Sequence, residues 1–158
     1  MSFCWDVYVW LPRRDPELLR AFVDRYVDPE APGDDRLPAF RRTYITGTPG
    51  GADAAALAEL HPSDGTGAFT LYLHGRNHPW AMITMTEDDA AVLGLSIDDP
   101  GNSPAERREA RELIERLRQE FAAPAGIAGV EMPPPGSRHQ WRTDHTPIRV
   151  GTIPDDPA

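Results

Sequence analysis

The side chains best suited to chemistry gather in two short stretches, His74-Gly75-Arg76-Asn77-His78 and Asp98-Asp99. Histidine titrates near neutrality, and carboxylates accept protons or bind divalent cations. Two histidines, one arginine and two aspartates are therefore the raw material of a proton-transfer or metal-dependent site. Their spacing is less specific. His-x-x-x-His in a turn differs from the helical His-Glu-x-x-His zinc pattern, and no third ligand is fixed by sequence. Solvated turn residues are the ordinary alternative. His74, Arg76, His78, Asp98 and Asp99 thus form a candidate polar binding site, with no catalytic residue, metal or cofactor assigned.

Other patterns carry less. Gly47-Thr48-Pro49-Gly50-Gly51 has the glycines of a phosphate loop, but the chain contains no lysine to reach the β- and γ-phosphates, so it reads as a plain connection. Cys4, the lone cysteine, reads as a small buried hydrophobe, and Ser103 as a helix cap. His139, Trp141, Asp144 and His145 cluster near the C-terminus and join a site only if that segment folds back. Arg107, Arg108, Arg111, Arg116 and Arg118 form the one dense basic region, but Glu106, Glu109, Glu112, Glu115 and Glu120 interleave with them. That is the neutral, solvated side of a helix and excludes nucleic acid as the expected partner.

Composition agrees. A chain of 158 residues is the size of one domain with one core. Its formal charge of −9 repels phosphate backbones, and all 16 basic residues are arginine, a bias suggesting GC-rich bacterial coding. A single cysteine allows no internal disulfide. The first residues lack a basic-then-apolar leader, and no apolar run reaches membrane-spanning length. A cytoplasmic protein with no membrane association is the expectation.

The elements that must position these residues follow from periodicity. Residues 3–11 alternate, with Phe3, Trp5, Val7, Val9 and Leu11 on one side of a strand and Cys4, Asp6, Tyr8 and Trp10 on the other. Asp15-Pro16-Glu17 starts a helix whose stripe is Leu18, Leu19, Phe22, Val23 and Tyr26. Residues 28–39 read as a surface loop, 40–46 as a second strand and 52–60 as a short alanine-rich helix. Residues 69–74, 80–86 and 90–97, joined by short turns, predict a three-stranded antiparallel meander. Ser103-Pro104-Ala105-Glu106 is a capping box. It opens a helix with Ala110, Leu113, Ile114, Leu117 and Phe121 inward and Arg108, Glu112 and Arg116 paired on the wet side. A strand over 126–132 precedes Pro133-Pro134-Pro135. The remainder shows no helical period, although 147–153 suits a sheet edge.

The order predicts an α+β two-layer sandwich, a mainly antiparallel sheet with two long helices on one face, and it resembles a ferredoxin-like plan. Residues 1–132 form the domain, and 133–158 form a proline-rich extended tail docked on it. In a meander, His74, Arg76 and His78 share one end of the sheet with Asp98 and Asp99, while Glu87, Asp88 and Asp89 lie about 20 Å away, six residues at about 3.3 Å each. On the face away from the helices, Tyr8, Trp10, Tyr72 and Met82 form a candidate aromatic binding face. It is covered either by the tail, through Trp141, Ile148 and Val150, or by a partner.

Three functions remain open. The first is a non-enzymatic protein-binding or accessory domain, which in size and acidity resembles small bacterial immunity proteins, a likeness carried by no residue pattern. The second is a small enzyme or metal-dependent protein at the His74, His78, Asp98, Asp99 end. The third is a small-ligand sensor that self-associates as a dimer.

Overall fold

The computed structural model describes residues 3–62, 67–99 and 104–155. Its centre is β1 (Phe3–Leu11), flanked by β4 (Ala91–Asp99) and β5 (Ala125–Val130). Beyond β4 lie β3 (Trp80–Met85) and then β2 (Phe69–His74), and beyond β5 lies β6 (Ile148–Gly151). Every neighbouring pair is antiparallel, so the expected meander over β2, β3 and β4 is present within a six-stranded sheet.

Helices cover the first face. α1 (Pro16–Tyr26) begins at Asp15, whose Oδ1 accepts the Glu17 N–H at 2.9 Å, and it buries Leu19, Phe22 and Val23. The anticipated stripe of the 18-residue helix that starts at Pro104 is buried in full, from Ala110 to Phe121. Ser103, its expected cap, lies outside the described residues. Both stripes join one cluster with Trp5, Val7, Val9 and Leu11. Each large side chain so buried is worth about 1.5–3 kcal/mol relative to exposure. The Arg108, Glu112, Arg116 ladder does not form. Among the described residues the ion pair within this helix is Glu115–Arg118, at 3.1 Å.

Residues 40–46 are helical and do not form the expected strand. α2 (Leu37–Phe40) runs directly into a π-helical turn over Arg41–Ile45, where the Thr46 N–H donates to the Arg41 carbonyl at 2.9 Å. A two-residue period would have placed Arg42 on the core side between Phe40 and Tyr44. The helical period instead turns Leu37, Phe40 and Ile45 inward together. It leaves Arg42 to grip both carboxylate oxygens of Asp53, each at 2.8 Å. Asp53 opens α3 (Asp53–Ala58), shorter than the 52–60 expected. The helix from Pro104 to Phe121 is α4, and it carries the chain from β4 to β5 across β1.

The segment after Met132 also departs from its extended reading, because it contains α5 (Arg138–Thr143). Ser137 Oγ accepts the Gln140 N–H at 3.1 Å while Gln140 Oε1 accepts the Gly136 N–H at 2.6 Å. The sequence Ser-x-x-Gln carries this variant of a capping box, in which Gln140 bonds the residue before the cap. β6 then pairs with the β5 edge, in the region expected for 147–153.

α5 and the residues after β6 seal half of the second sheet face. Tyr8, Trp10, Met82, Val92 and Ile127 are buried in one cluster with Trp141 and Ile153. Trp141 meets Trp10 edge-on at 5.5 Å, and the Arg138 guanidinium lies over Trp10 at 5.5 Å from the ring centre. Of the three anchors expected, only Trp141 acts on this face. Ile148 and Val150 belong to the helix-side cluster, and Ile153 is the second anchor.

Candidate functional site

The open half of the second face is shaped by two small residues on β4. Antiparallel partners point to the same side, so reading across the register gives rows of side chains. One row is Tyr72, Met82, Gly94, Tyr8 and Ile127. In the next, Ser96 stands between Asp6 on β1 and Trp80 on β3, and its Oγ accepts the Trp80 N–H at 3.0 Å. Gly94 and Ser96 are small but buried: the Tyr8 ring and Met82 occupy the space over Gly94, and Ser96 is held against the Trp80 backbone. Their larger neighbours line a trough. Toward the sealed end, Val92 fills the same line.

The trough opens as a cleft of about 440 Å³ walled by Asp6, Tyr8, Tyr72, Trp80, Met82 and Glu131. Tyr8 lies flat over Gly94; a Cβ there would come within 2.5 Å of its ring. Its hydroxyl donates to the Met132 carbonyl and approaches Met82 Sδ at 3.7 Å, so the ring is fixed as a floor. Tyr72 is 48% exposed and Trp80 42%, and they form the rim. Across Tyr72 lies a second cleft of about 390 Å³, walled by Thr70, Thr84, Pro133, Pro134 and Gln140. The Thr70 and Thr84 hydroxyls meet at 2.7 Å on its floor.

The first cleft is lined by two acidic side chains, and no cation among the described residues pairs with either. Asp6 Oδ2 accepts the Met132 N–H at 2.9 Å, and Glu131 Oε1 accepts the Cys4 N–H at 2.9 Å. Burial, reinforced by Glu131 and opposed by the Met132 bond, pushes the Asp6 carboxyl up to about 7. Burial also raises the Cys4, Tyr8 and Tyr72 groups, and the Asp6 charge adds to each shift. Glu131 has φ +50, a left-handed conformation uncommon outside glycine. A near-neutral carboxyl in an aromatic cleft beside a strained residue has the character of a functional site.

The polar residues singled out from the sequence are divided by the sheet. His74 faces the second side, edge-on to Trp80 at 5.5 Å, with Nδ1 3.0 Å from the Ala31 carbonyl. His78 lies near Tyr26 on the helix side, with Nδ1 3.2 Å from the Ser96 carbonyl, and burial lowers its pKa. Arg76 donates to the Asp24 carbonyl at 2.9 Å. Asp98 is exposed opposite Cys4, and Asp99 pairs with Phe3 in the β1–β4 ladder. Among the described residues no group of three or more His, Cys, Asp and Glu is placed to hold a metal ion.

Of the aromatic candidates, Tyr8, Trp10 and Met82 are buried and Tyr72 stays open. Sequence reasoning missed Asp6, Trp80, Gly94, Ser96 and Glu131 as a set. The available signal was an acid alternating with Tyr8 and Trp10 on one strand face. No described helix is long and apolar enough to cross a membrane. No protein-family model matches the chain, and neither the curated proteins nor the solved structures include a significantly similar one.

Proposed function

We propose that the protein is a non-enzymatic binding domain that holds an extended segment of a partner protein against the open half of its second sheet face. The observation that carries this reading is the pair of adjoining clefts, about 440 and 390 Å³, with half-exposed Tyr72 standing between them. Alternate side chains of an extended segment project about 7 Å apart, which suits two depressions in line. Aromatic residues left partly exposed beside a depression are typical anchors of interfaces.

Selection from a random peptide library against the wild-type chain tests it, with winners re-measured on Tyr72→Ala and Trp80→Ala. Both rings are about half exposed, so the variants keep the fold, as a melting curve verifies. The expected result is a set of peptides whose affinity drops at least about tenfold on either variant, the scale of a contact above 1 kcal/mol. Failure to enrich any peptide, or equal binding to the variants, overturns the reading. A second copy of the chain is the competing occupant. Concentration-dependent dimerisation that Trp80→Ala abolishes, seen by light scattering, would assign the face to it.

A second reading, a small enzyme, is favoured by the near-neutral carboxyl of Asp6, suited to general acid–base work. Turnover lost in Asp6→Asn but kept in Tyr72→Ala would select it. The fold reading that accompanies the proposal is an elaborated ferredoxin-like plan, with the described residues after Met132 as a docked cover. The β3-β4-β1-β5 order and the α4 crossover support it, with β2 and β6 as added edges. Fold analogy leaves the function to the site.

A further inference from the structure

We propose that the open end of the trough is a receptor for an organic cation, the guanidinium or ammonium group of a basic side chain on the docked segment. The inference rests on the binding reading above and names the chemistry of one of its two clefts.

Shape comes first. The Asp6 and Glu131 side chains and the Trp80 indole line one cleft of about 440 Å³. Tyr8 floors the adjoining row and Tyr72 stands at the rim. Carboxylates facing aromatic rings across a narrow gap are the two chemistries that hold organic cations, one by charge and the other by the electron-rich ring face.

Charge is the second argument. Four enclosed carboxylates elsewhere among the described residues have an arginine: Asp53 has Arg42, Asp34 has Arg36, Glu120 has Arg25 and Asp88 has Arg138. Asp6 and Glu131 have one backbone N–H each, and no described cation pairs with either. The groups around Asp6 are Cys4 and Tyr8 on its own strand, Ser96 and Asp98 on β4, Tyr72 on β2 and Glu131 after β5; His74 stands behind Trp80. No arginine is among them. Burial, with a smaller contribution from Glu131, raises the Asp6 carboxyl, and Glu131 stands at the rim with a left-handed backbone.

The test titrates the full chain with methylguanidinium and n-butylammonium, with a neutral isostere, n-butanol, as control. Indole fluorescence reports occupancy, and the ¹³C shift of the Asp6 carboxyl reports its protonation. The expected result is binding of both cations and not of butanol, with the Asp6 midpoint displaced downward from about 7 at saturation. Affinity falls about tenfold in Asp6→Asn and in Trp80→Ala. It also falls from pH 8 to pH 5.5 as Asp6 protonates, an event the carboxyl signal reports directly. Asn retains an acceptor for the Met132 N–H, so Asp6→Asn keeps the local fold. Equal binding of butanol, or unchanged affinity in Asp6→Asn, overturns the inference. If selected peptides need Tyr72 and Trp80 but carry no basic residue and tolerate Asp6→Asn, the cation receptor fails while the docking reading stands. If the free cations bind through Asp6 and no peptide is selected, the docking reading fails and the cation receptor stands.

Discussion

The two ends of the second sheet face share β1 and β4 and have opposite fates. At one end Trp10, Val92 and Ile127 lie under Trp141 and Ile153. At the other, Asp6, Tyr72, Trp80 and Glu131 line a trough, and nothing described covers it. The alternation that aims these residues is identical along the strands. The difference lies in where the C-terminal segment lands: the face closes as core under Trp141 and Ile153, and beyond them it stays open and acidic.

The largest effect should come from removing the cover. Trp141→Ala is expected to cost about 3–5 kcal/mol, the usual range for a buried tryptophan, read from urea unfolding. A loss below about 1 kcal/mol would mean that α5 rests on the sheet without sealing it, and the contrast between the ends would dissolve.

The next effect tests the floor of the open end. Gly94→Ala brings a Cβ within 2.5 Å of the Tyr8 ring, which is fully buried and hydrogen-bonded. Overpacking of this kind costs about 1–3 kcal/mol and should displace Tyr8, visible as altered tyrosine ring shifts. An unperturbed Tyr8 with wild-type stability would show that the ring is not fixed over β4.

The smallest effect is electrostatic and has a definite sign. The native Asp6 carboxyl is raised to about 7, above its unfolded value, so the native state holds the proton more tightly. The stabilisation is present at acid pH and is lost as pH rises toward and through about 7. Asp6→Asn should therefore exceed the wild type by about 1 kcal/mol at pH 8 after allowance for solvent screening, and match it near pH 4. In a chain of this size that is about 2–4 °C in melting temperature. Equal stability at both pH values would mean that Asp6 already has a counter-charge.

Much of the scaffold was legible because it depends on local pattern. The alternation of residues 3–11, the meander and the α4 stripe each follow from a run of neighbouring residues with one dominant period. Residues 40–46 misled because their apolar members are few, and a helical and an alternating reading both fit until Arg42 must be placed. α5 was overlooked although Ser137 and Gln140 spell its cap, because six residues are too short for a hydrophobic stripe. The polar candidates lie apart for a different reason. His74 and His78 share an end of the sheet but not a face, since the turn between β2 and β3 sends the second ring toward Tyr26.

The sequence by itself determined which residues of each strand travel together. Asp6 rides with Tyr8 and Trp10 because backbone geometry flips every second side chain, whatever surrounds it. Only the tertiary structure decided that Asp6 meets Ser96, Trp80 and Glu131, because residues 74 to 125 positions away are brought beside it by strand register and by the turn after β5. Register is set by the summed burial of whole strands under the helices, so no short stretch of sequence contains the trough.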